Sequence, residues 1–390
     1  MIIALLLQAA VAASGQSSDV VVTGERLDAT EKALRACVAR ECPPVADINA
    51  TIAHADNQFI AGDFAGARRT LLASRERNKR FAAQYPVAVG ELLRVDGFVA
   101  QLVGQPEYAR IGTIDAVDAL KKGLAPDDEL IAKQRLEVAE IFMRQGRGRT
   151  AVNMLDAIAE RAHEQGWSRV EAEARLRAAA LYAARSTSAP ELRAQARERL
   201  AQLRAMTAPE AKAYADAAVL IDARIAQLDG DEQALALARA KAQATKVDRA
   251  ILVYAPTVDL GQALIVGNVS RVYDAKDQWV DVRYTVAPDG SVRDLTELNR
   301  GKDAHGRWID VAKDSVVNRQ YLPLAQAADG PGMERLERFV LVSALDTRVG
   351  SRLRLPYGTP RLQSVDLSPL DAASGTRSTV TPGAATPTRG

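Results

Sequence analysis

The two cysteines are the residues of this sequence whose type and spacing point most directly to chemistry. Cys37 and Cys42 stand five residues apart, and Pro43-Pro44 follows at once. A proline pair cannot continue a helix, so the chain must turn at Cys42, and such a turn can bring the two Cα atoms within bridging distance. We therefore predict a disulfide between Cys37 and Cys42, which adds about 2 kcal/mol of stability in the chain-entropy model.

A redox-active or metal-binding thiol pair is the alternative interpretation of these cysteines. The spacing is not Cys-x-x-Cys, and the three histidines, His54, His163 and His305, are distant from the pair and from one another in sequence. The sequence also lacks the glycine-rich nucleotide motifs, the Gly-x-Ser-x-Gly elbow and the His-Glu-x-x-His metal motif. We predict no metal site and no cofactor.

Carboxylate pairs and charge runs give no further evidence of catalysis or of nucleic-acid binding. Asp127-Asp128 and Asp231-Glu232 stand where helices are expected to begin, and there they interact favourably with unpaired backbone N–H groups. The 51 basic and 49 acidic residues leave a net charge of only +2, and the Arg/Glu-rich segment 193–204 lacks the aromatic residues that stack on bases. We predict a non-enzymatic protein whose partner is a protein or a peptide, not a nucleic acid.

The N-terminus is typical of a secretory signal. Residues 1–13 are almost entirely apolar, and small residues follow, so that Ala10-Val11-Ala12 or Val11-Ala12-Ala13 offers a cleavage site. The run is shorter than the roughly 20 residues that span a bilayer, although it lacks a basic N-terminal region, and a buried N-terminal helix is the alternative. We predict a signal peptide at 1–16, a flexible segment at 17–29, a periplasmic location and no integral membrane span after cleavage.

The next 220 or so residues have the composition of helices, and their breaks recur at a fixed interval. Ala, Leu, Arg, Glu and Gln dominate residues 30–250, with apolar residues at helical spacing. Gly62, Gly104 and Gly146 are 42 residues apart, Gly230 is 84 further on, and Ser188 occupies the skipped position. Because glycine is favoured in the turn of a helical hairpin, we predict an all-α array of hairpins with a period of 42. An irregular helical bundle is the alternative.

Residues 59–72 carry a glycine, flanking aromatic residues and an alanine, in the order Phe59, Gly62, Phe64 and Ala67. This segment resembles a tetratricopeptide repeat, and residues 139–155 are a looser copy. The period departs from the 34 residues of that family, which implies longer helices or linkers.

After residue 250 the patterns change to those of strands. Strands are predicted at 251–254, 263–272, 280–286, 291–298 and 335–345, and a helix at 308–320. Residues 279–286 alternate between apolar and polar side chains, and Pro288-Asp289-Gly290 predicts a tight turn to the next strand. The tail at 366–390, rich in Ser, Thr, Pro, Ala and Gly, is predicted to be disordered.

The order of these elements resembles the C-terminal domain of TonB. The matching segments are 279–286, Asp289-Gly290-Ser291-Val292, the helix at 311–317, Tyr321-Leu322-Pro323 and the strand at 338–342. The resemblance implies a multidomain protein in which a small α+β domain of this type, at 251–365, follows the helical array. The membrane helix and the proline-rich spacer of the family's energy transducers are lacking from the sequence before this domain.

The same resemblance implies a site for an extended peptide. The closing strand of a small sheet presents unpaired N–H and C=O groups, to which a peptide can add as a further strand. That edge is expected at Arg338, Phe339, Val340, Leu341 and Val342, with Phe339 as a core anchor, and the segment 19–26 is a candidate ligand. Segments 349–355 or 362–367 could instead cover the edge.

Together these patterns predict an exported periplasmic binding or scaffold protein. Its helical repeats would bind a protein partner, and its small domain would capture a peptide edge. The alternative function is a part in TonB-dependent outer-membrane transport, with an outer-membrane receptor or envelope complex as the partner.

Overall fold

The computed structural model describes residues 26–256, 258, 260, 278–347, 354–368 and 381–382. In these residues the chain is mostly helical and ends in a small antiparallel sheet with one helix, so the coarse prediction of an all-α part followed by an α+β part is confirmed. The predicted signal peptide at 1–16 and strand at 263–272 lie outside the described residues. No helix among those described is long and apolar enough to cross a membrane.

The helical array consists of consecutive helices joined by short connections. Its helices are α1 Leu27–Ala39, α2 Pro44–Ile60, α3 Phe64–Asn78, α4 Pro86–Leu102, α5 Pro106–Lys121, α6 Glu129–Arg144, α7 Gly148–Gln165, α8 Ser168–Arg185, α9 Leu192–Arg204, α10 Lys212–Ala217, α11 Val219–Asp229 and α12 Glu232–Ala244. Proline begins α2, α4 and α5, where its missing N–H costs no hydrogen bond. The first helix begins at Leu27, inside the segment 17–29 that the sequence predicted to be flexible; residues 17–25 lie outside the described part.

The 42-residue interval corresponds to successive helical hairpins. Gly62, Gly104 and Gly146 lie in the turns α2–α3, α4–α5 and α6–α7, with φ of +84°, +73° and +76°. These values favour glycine because other residues rarely adopt them. Close helix packing depends on small residues as well, since a Cβ added to Gly112 would lie 2.8 Å from the Cα of Gly97 on the neighbouring helix. The repeat-like architecture predicted from the glycines is therefore confirmed.

The predicted disulfide is also present. Cys37 and Cys42 are bonded with a Cα–Cα distance of 5.2 Å, at the point where α1 ends and the chain turns into α2. The bridge ties the first helix of the array to the start of the first hairpin.

The strands of the sheet are β2 Trp279–Val286, β3 Val292–Arg300, β5 Met333–Thr347, β6 Arg354–Asp366 and β7 Thr381–Pro382. They lie in the order β3-β2-β5-β6-β7, and each neighbouring pair is antiparallel. Helix α13 Trp308–Val317 lies on one face, and a separate pair, β1 Leu252–Tyr254 with β4 Gln320–Tyr321, lies beside it. We call residues 247–368 the sheet unit.

The sheet unit reaches further than the sequence indicated. The predicted strand at 335–345 extends to 333–347, and β6 runs to Asp366, within the predicted tail at 366–390. Leu367 and Ser368 are buried, and residues 381–382 pair with β6, so the start of the tail was placed too early. The remaining tail residues, 369–380 and 383–390, lie outside the described part.

The centre of the sheet is buried on both faces, whereas β3 is largely exposed, and each face packs against a different part of the protein. Val280, Val282, Tyr284, Phe339 and Leu341 form one core with α13. The opposite face contributes a second core, in which Trp279, Val340, Val342, Val365 and Leu367 pack against Phe59, Phe64 and Leu102 of the array. The alternation of 279–286 predicts one face in water, and the array covers only part of that face, since Asp281 is buried whereas Arg283 is exposed.

Candidate functional site at the joint of array and sheet

The predicted peptide edge is not an edge. Strand β5 lies between β2 and β6, so that Arg338 pairs with Asp281 on one side and with Val365 on the other. Val340 is likewise paired on both sides, with Trp279 and Gln363. The prediction of an open edge at 338–342 is therefore wrong, since β6, which includes most of the segment 362–367, covers it.

Arg338 instead has a role that the sequence did not indicate. Its side chain is 1% exposed and lies on the sheet face that packs against the array. The guanidinium donates to both carboxylate oxygens of Asp281, at 2.7 Å from Nε and 2.8 Å from Nη2. Nη2 also donates to the carbonyl of Ile60 at 2.8 Å, and Nη1 donates to the carbonyl of Phe59. One side chain thus joins β2 and β5 to the end of helix α2.

The two carbonyls that Arg338 contacts lie at the C-terminal end of a helix, where carbonyl acceptors outnumber N–H donors. The last carbonyls of a helix have no partner within the helix and carry the negative end of its dipole. Phe59 and Ile60 are the last two residues of α2. A buried guanidinium satisfies these acceptors, and Asp281 compensates its charge, so the arrangement meets the condition under which a buried ion pair is tolerated.

Aromatic rings enclose the guanidinium. Its carbon lies 3.8 Å from the ring centroid of Trp279 and 5.6 Å from that of Phe59, and the ring of Phe64 is 6.0 Å away. Cation–π attraction adds about 2 kcal/mol where the cation is desolvated. Gly62 lies against the indole, because a Cβ added there would be 2.4 Å from Nε1 of Trp279. We call Phe59, Ile60, Gly62 and Phe64, with Trp279, Asp281 and Arg338, the joint.

The sheet unit meets the array at a second place. Ile251 and Leu322 of the sheet unit belong to the core formed by α8 to α12, and we call this contact the tether. The sheet unit is therefore attached near the end of the array by its own tether and at the first hairpin by the joint. Gln101 adds a contact near the joint, because its amide lies 3.4 Å from the side-chain oxygen of Gln363.

A cluster of charges is buried between helices α6 and α8. Arg177, 3% exposed, contacts Glu173 at 2.5 Å, Glu140 at 3.4 Å and Glu137 at 3.8 Å. Glu140 also pairs with Arg144. Burial raises the pKa of Glu140, but Arg144 and Arg177 outweigh burial and hold the pKa below its ordinary value. Glu137 has only the long contact, and burial, with Glu140 and Glu173 nearby, raises the pKa of Glu137 to about 7 despite Arg177.

This pKa predicts a pH-dependent stability. The folded state keeps a proton on Glu137 up to about pH 7, whereas the unfolded chain loses it near the ordinary value of 4.5. The free energy of unfolding therefore falls as the pH rises from 4.5 to 7, by about 3 kcal/mol from this group. Glu137→Gln should remove this decrease and be more stable than the parent above pH 7 in urea unfolding. The exposed Glu164→Gln is the matched control, and an unchanged pH profile in Glu137→Gln would contradict the assignment.

A third polar group lies under the sheet beside α13. The hydroxyls of Tyr284 and Tyr321 are 2.8 Å apart, and Tyr284 donates to Glu337 at 2.8 Å. Arg319 donates to the same oxygen of Glu337 at 2.7 Å. Burial raises the pKa of Tyr284, and the charge of Glu337 adds to this effect. Since the four side chains bond to one another inside a core, they serve to fix α13 and β4 on the sheet.

The histidines lie apart. His54 is buried against Thr30, and burial lowers the pKa of His54. The His163 side chain is 73% exposed beside Glu171, and His305 contacts the backbone of Asp303. Among the described residues there is no group of three side chains able to hold a metal ion.

Sequence reasoning missed the joint because its residues are distant in the chain. Phe59 and Phe64 fit a repeat motif, and the alternation of 279–286 predicts that Asp281 faces water. No local signal marks the pair, because Asp281 and Arg338 stand among other charged residues of their strands, such as Arg283 and Glu337.

Comparison with known proteins gives no family match and a remote structural match. No protein-family model matches the chain, and no curated protein matches it. Among solved structures, BtubC (BKLC) from P. vanneervenii matches with a TM-score of 0.43 and 15% identity, over 62% of this chain and 94% of that chain.

Proposed function

We propose that this protein is an exported, non-enzymatic scaffold that binds a protein partner on the outer surface of its first two helical hairpins. The observation that carries the proposal is an apolar patch on the neighbouring helices α3 and α5. Leu72, Tyr108 and Ile111 are 39%, 56% and 39% exposed. Large exposed apolar side chains that cluster are typical of protein-binding surfaces.

The three side chains belong to one surface because α3 and α5 lie in register. Arg68 of α3 lies over the ring of Tyr108 at 5.9 Å, and Arg75 pairs with Asp115 at 2.7 Å. Both pairs are offset by 40 residues, and the same offset brings Leu72 level with Gly112, next to Ile111. The patch therefore runs across both helices, and its composition favours a partner with apolar side chains.

Affinity for the partner should depend on this patch. Tyr108→Glu is expected to weaken capture of the partner from an envelope extract by more than tenfold, because it places a charge where apolar contact is made. Leu237→Glu is the matched control, since Leu237 is 72% exposed on α12, in the last hairpin of the array. Equal capture by both variants, with unchanged circular dichroism, would remove the patch from the proposal.

Export is supported by the disulfide, because such bonds persist in oxidising compartments. Protein purified from its host in the presence of an alkylating agent should show Cys37 and Cys42 linked and unlabelled by mass spectrometry. Two alkylated thiols would contradict both the bridge in the cell and the periplasmic location. N-terminal sequencing of the same sample tests the predicted cleavage near residue 16.

We also propose a family type for the helical hairpins and for the sheet unit. A tetratricopeptide type for the hairpins is supported by Gly62 and Ala67, the latter fully buried between helices. A TonB C-terminal type for the sheet unit is supported by the order β2, Asp289-Gly290 turn, β3, α13, β4 and β5. A role in TonB-dependent transport stays a prediction from the sequence, and unchanged siderophore or vitamin uptake in a deletion strain would remove it.

A further inference from the structure

We propose that the first hairpin turn is a guanidinium-binding site that Arg338 fills within its own chain, and that Arg338 of a second copy fills it when this contact opens. The two halves of the joint come from separate parts of the protein. The array supplies the site, and the sheet unit supplies the group that enters it.

The site on the array is complete without the sheet unit. It consists of the carbonyls of Phe59 and Ile60, which accept from Arg338, and of the rings of Phe59 and Phe64, which lie beside the guanidinium. Both carbonyls are at the C-terminal end of α2, where the helix dipole favours a cation. The array therefore presents acceptors and aromatic rings suited to a guanidinium from any source.

Contacts within the sheet unit alone hold the group that enters the site. Asp281 holds the guanidinium of Arg338 through two hydrogen bonds, and Trp279 lies 3.8 Å above it on the neighbouring strand. All three side chains are on one face of β2 and β5, so they move together with the sheet unit. The same contacts form whether that sheet unit belongs to the same chain or to another, which is the condition for domain exchange.

The site occurs once among the hairpin turns that the structure describes. Gly62 has Phe59 before it and Phe64 after it, whereas Gln101 and Pro106 occupy the corresponding positions around Gly104. A Cβ added to Gly146 would meet nothing within 4 Å, so no sheet residue covers that turn. With one site and one entering group per chain, a dimer with two reciprocal joints is the smallest assembly that leaves no site empty.

When the contacts of the joint break, the sheet unit stays attached to the last helices of the array. Ile251 and Leu322 remain in the core formed with α8 to α12. In the parent protein the tether keeps Arg338 at a high effective concentration near its own site, so the monomer is favoured at low protein concentration.

Two complementary variants test the proposal. Arg338→Ala leaves the site empty, and Gly62→Val blocks the site of its own chain, because added atoms there collide with Trp279, while it retains Arg338. Each variant alone should sediment as a monomer, and an equimolar mixture at about 100 µM, well above micromolar dissociation constants, should form a one-to-one heterodimer. Mixing Arg338→Ala with the double variant, which has neither group, is the control and should give monomers.

A small probe tests the chemistry of the site independently. Ethylguanidinium at millimolar concentration should raise the urea midpoint of Arg338→Ala and leave that of the parent protein, whose site Arg338 fills, unchanged, whereas ethylammonium should raise neither. Circular dichroism confirms that Arg338→Ala and Gly62→Val keep their helices. The proposal is overturned if the complementary mixture stays monomeric, or if ethylguanidinium acts equally on Arg338→Ala and on the parent protein.

Discussion

Replacing Arg338 with alanine is expected to lower the free energy of unfolding by about 3–5 kcal/mol, the cost of removing one partner of a buried ion pair. The carboxylate of Asp281 would remain buried without its cation, the carbonyl of Ile60 would lose its side-chain donor, and that of Phe59 would keep only the N–H of Gly62. The contact between the sheet unit and the first hairpin should also weaken, since the side chain of Arg338 bonds to both. Amide hydrogen exchange should then rise in residues 59–64 and 336–342.

Two variants distinguish this effect from a general loss of charge. Arg283 lies on β2 and its side chain is 46% exposed, with Glu334 at 3.8 Å, so Arg283→Ala should cost less than about 1 kcal/mol. Arg338→Lys should recover part of the loss, because a lysine keeps the charge but cannot donate to a carboxylate and two carbonyls in one plane. Equal stability of Arg338→Ala and Arg283→Ala would contradict the role assigned to the joint.

Replacing Arg177 with leucine is expected to have a similar effect, about 3–5 kcal/mol at pH 8. The substitution would leave Glu137, Glu140 and Glu173 close together between α6 and α8 without the cation that all three share. Part of the loss should be regained at pH 5, since protonation of the carboxyl groups relieves their repulsion.

The comparison for Arg177→Leu is an arginine that pairs near the surface. Arg204 is 38% exposed and pairs with Asp222, which is 35% exposed, so Arg204→Leu should change the free energy of unfolding by less than about 1 kcal/mol at either pH. Urea unfolding at pH 5 and pH 8 measures both variants. A loss in Arg177→Leu that does not depend on pH would show that the missing packing, not the carboxylate charge, dominates.

The helical part could be predicted in some detail because its signals are local. Glycine at positive φ in a hairpin turn and proline at the first position of a helix are recognisable without knowledge of the fold. Gly62, Gly104 and Gly146 could therefore indicate both the turns and their period. The disulfide was accessible for the same reason, since its two residues are only five apart.

The joint could not be predicted because it depends on contacts between distant segments. The carbonyl of Phe59 and the guanidinium of Arg338 are 279 residues apart in sequence. The strand pattern places Arg338 next to apolar residues but does not indicate which strands pair with its own. In the folded sheet β5 is central because it pairs with both β2 and β6. The open edge at 338–342 was predicted from the resemblance to the C-terminal domain of TonB. That edge is covered, because β6 pairs with β5.

Buried charges could not be recognised from the sequence in a second place. Glutamate and arginine four residues apart on a helix are typical of a solvent-exposed face. Glu173 and Arg177 have this spacing, yet both are buried, because α8 lies between α6, α7 and the later helices of the array. Amphipathic spacing identifies a helix, but it does not reveal whether a neighbouring helix covers the charged side.

Site-specific photo-crosslinking at the apolar patch on α3 and α5 tests the proposed function most directly. Tyr108 would be replaced by p-benzoylphenylalanine and the protein irradiated in the cell envelope of its host, with the same replacement at the exposed Leu237 as the control. The account predicts a discrete crosslinked partner at position 108 that Ile111→Glu abolishes, and none at position 237. The absence of any adduct at position 108, or the same adduct at both positions, would contradict a partner-binding surface on α3 and α5.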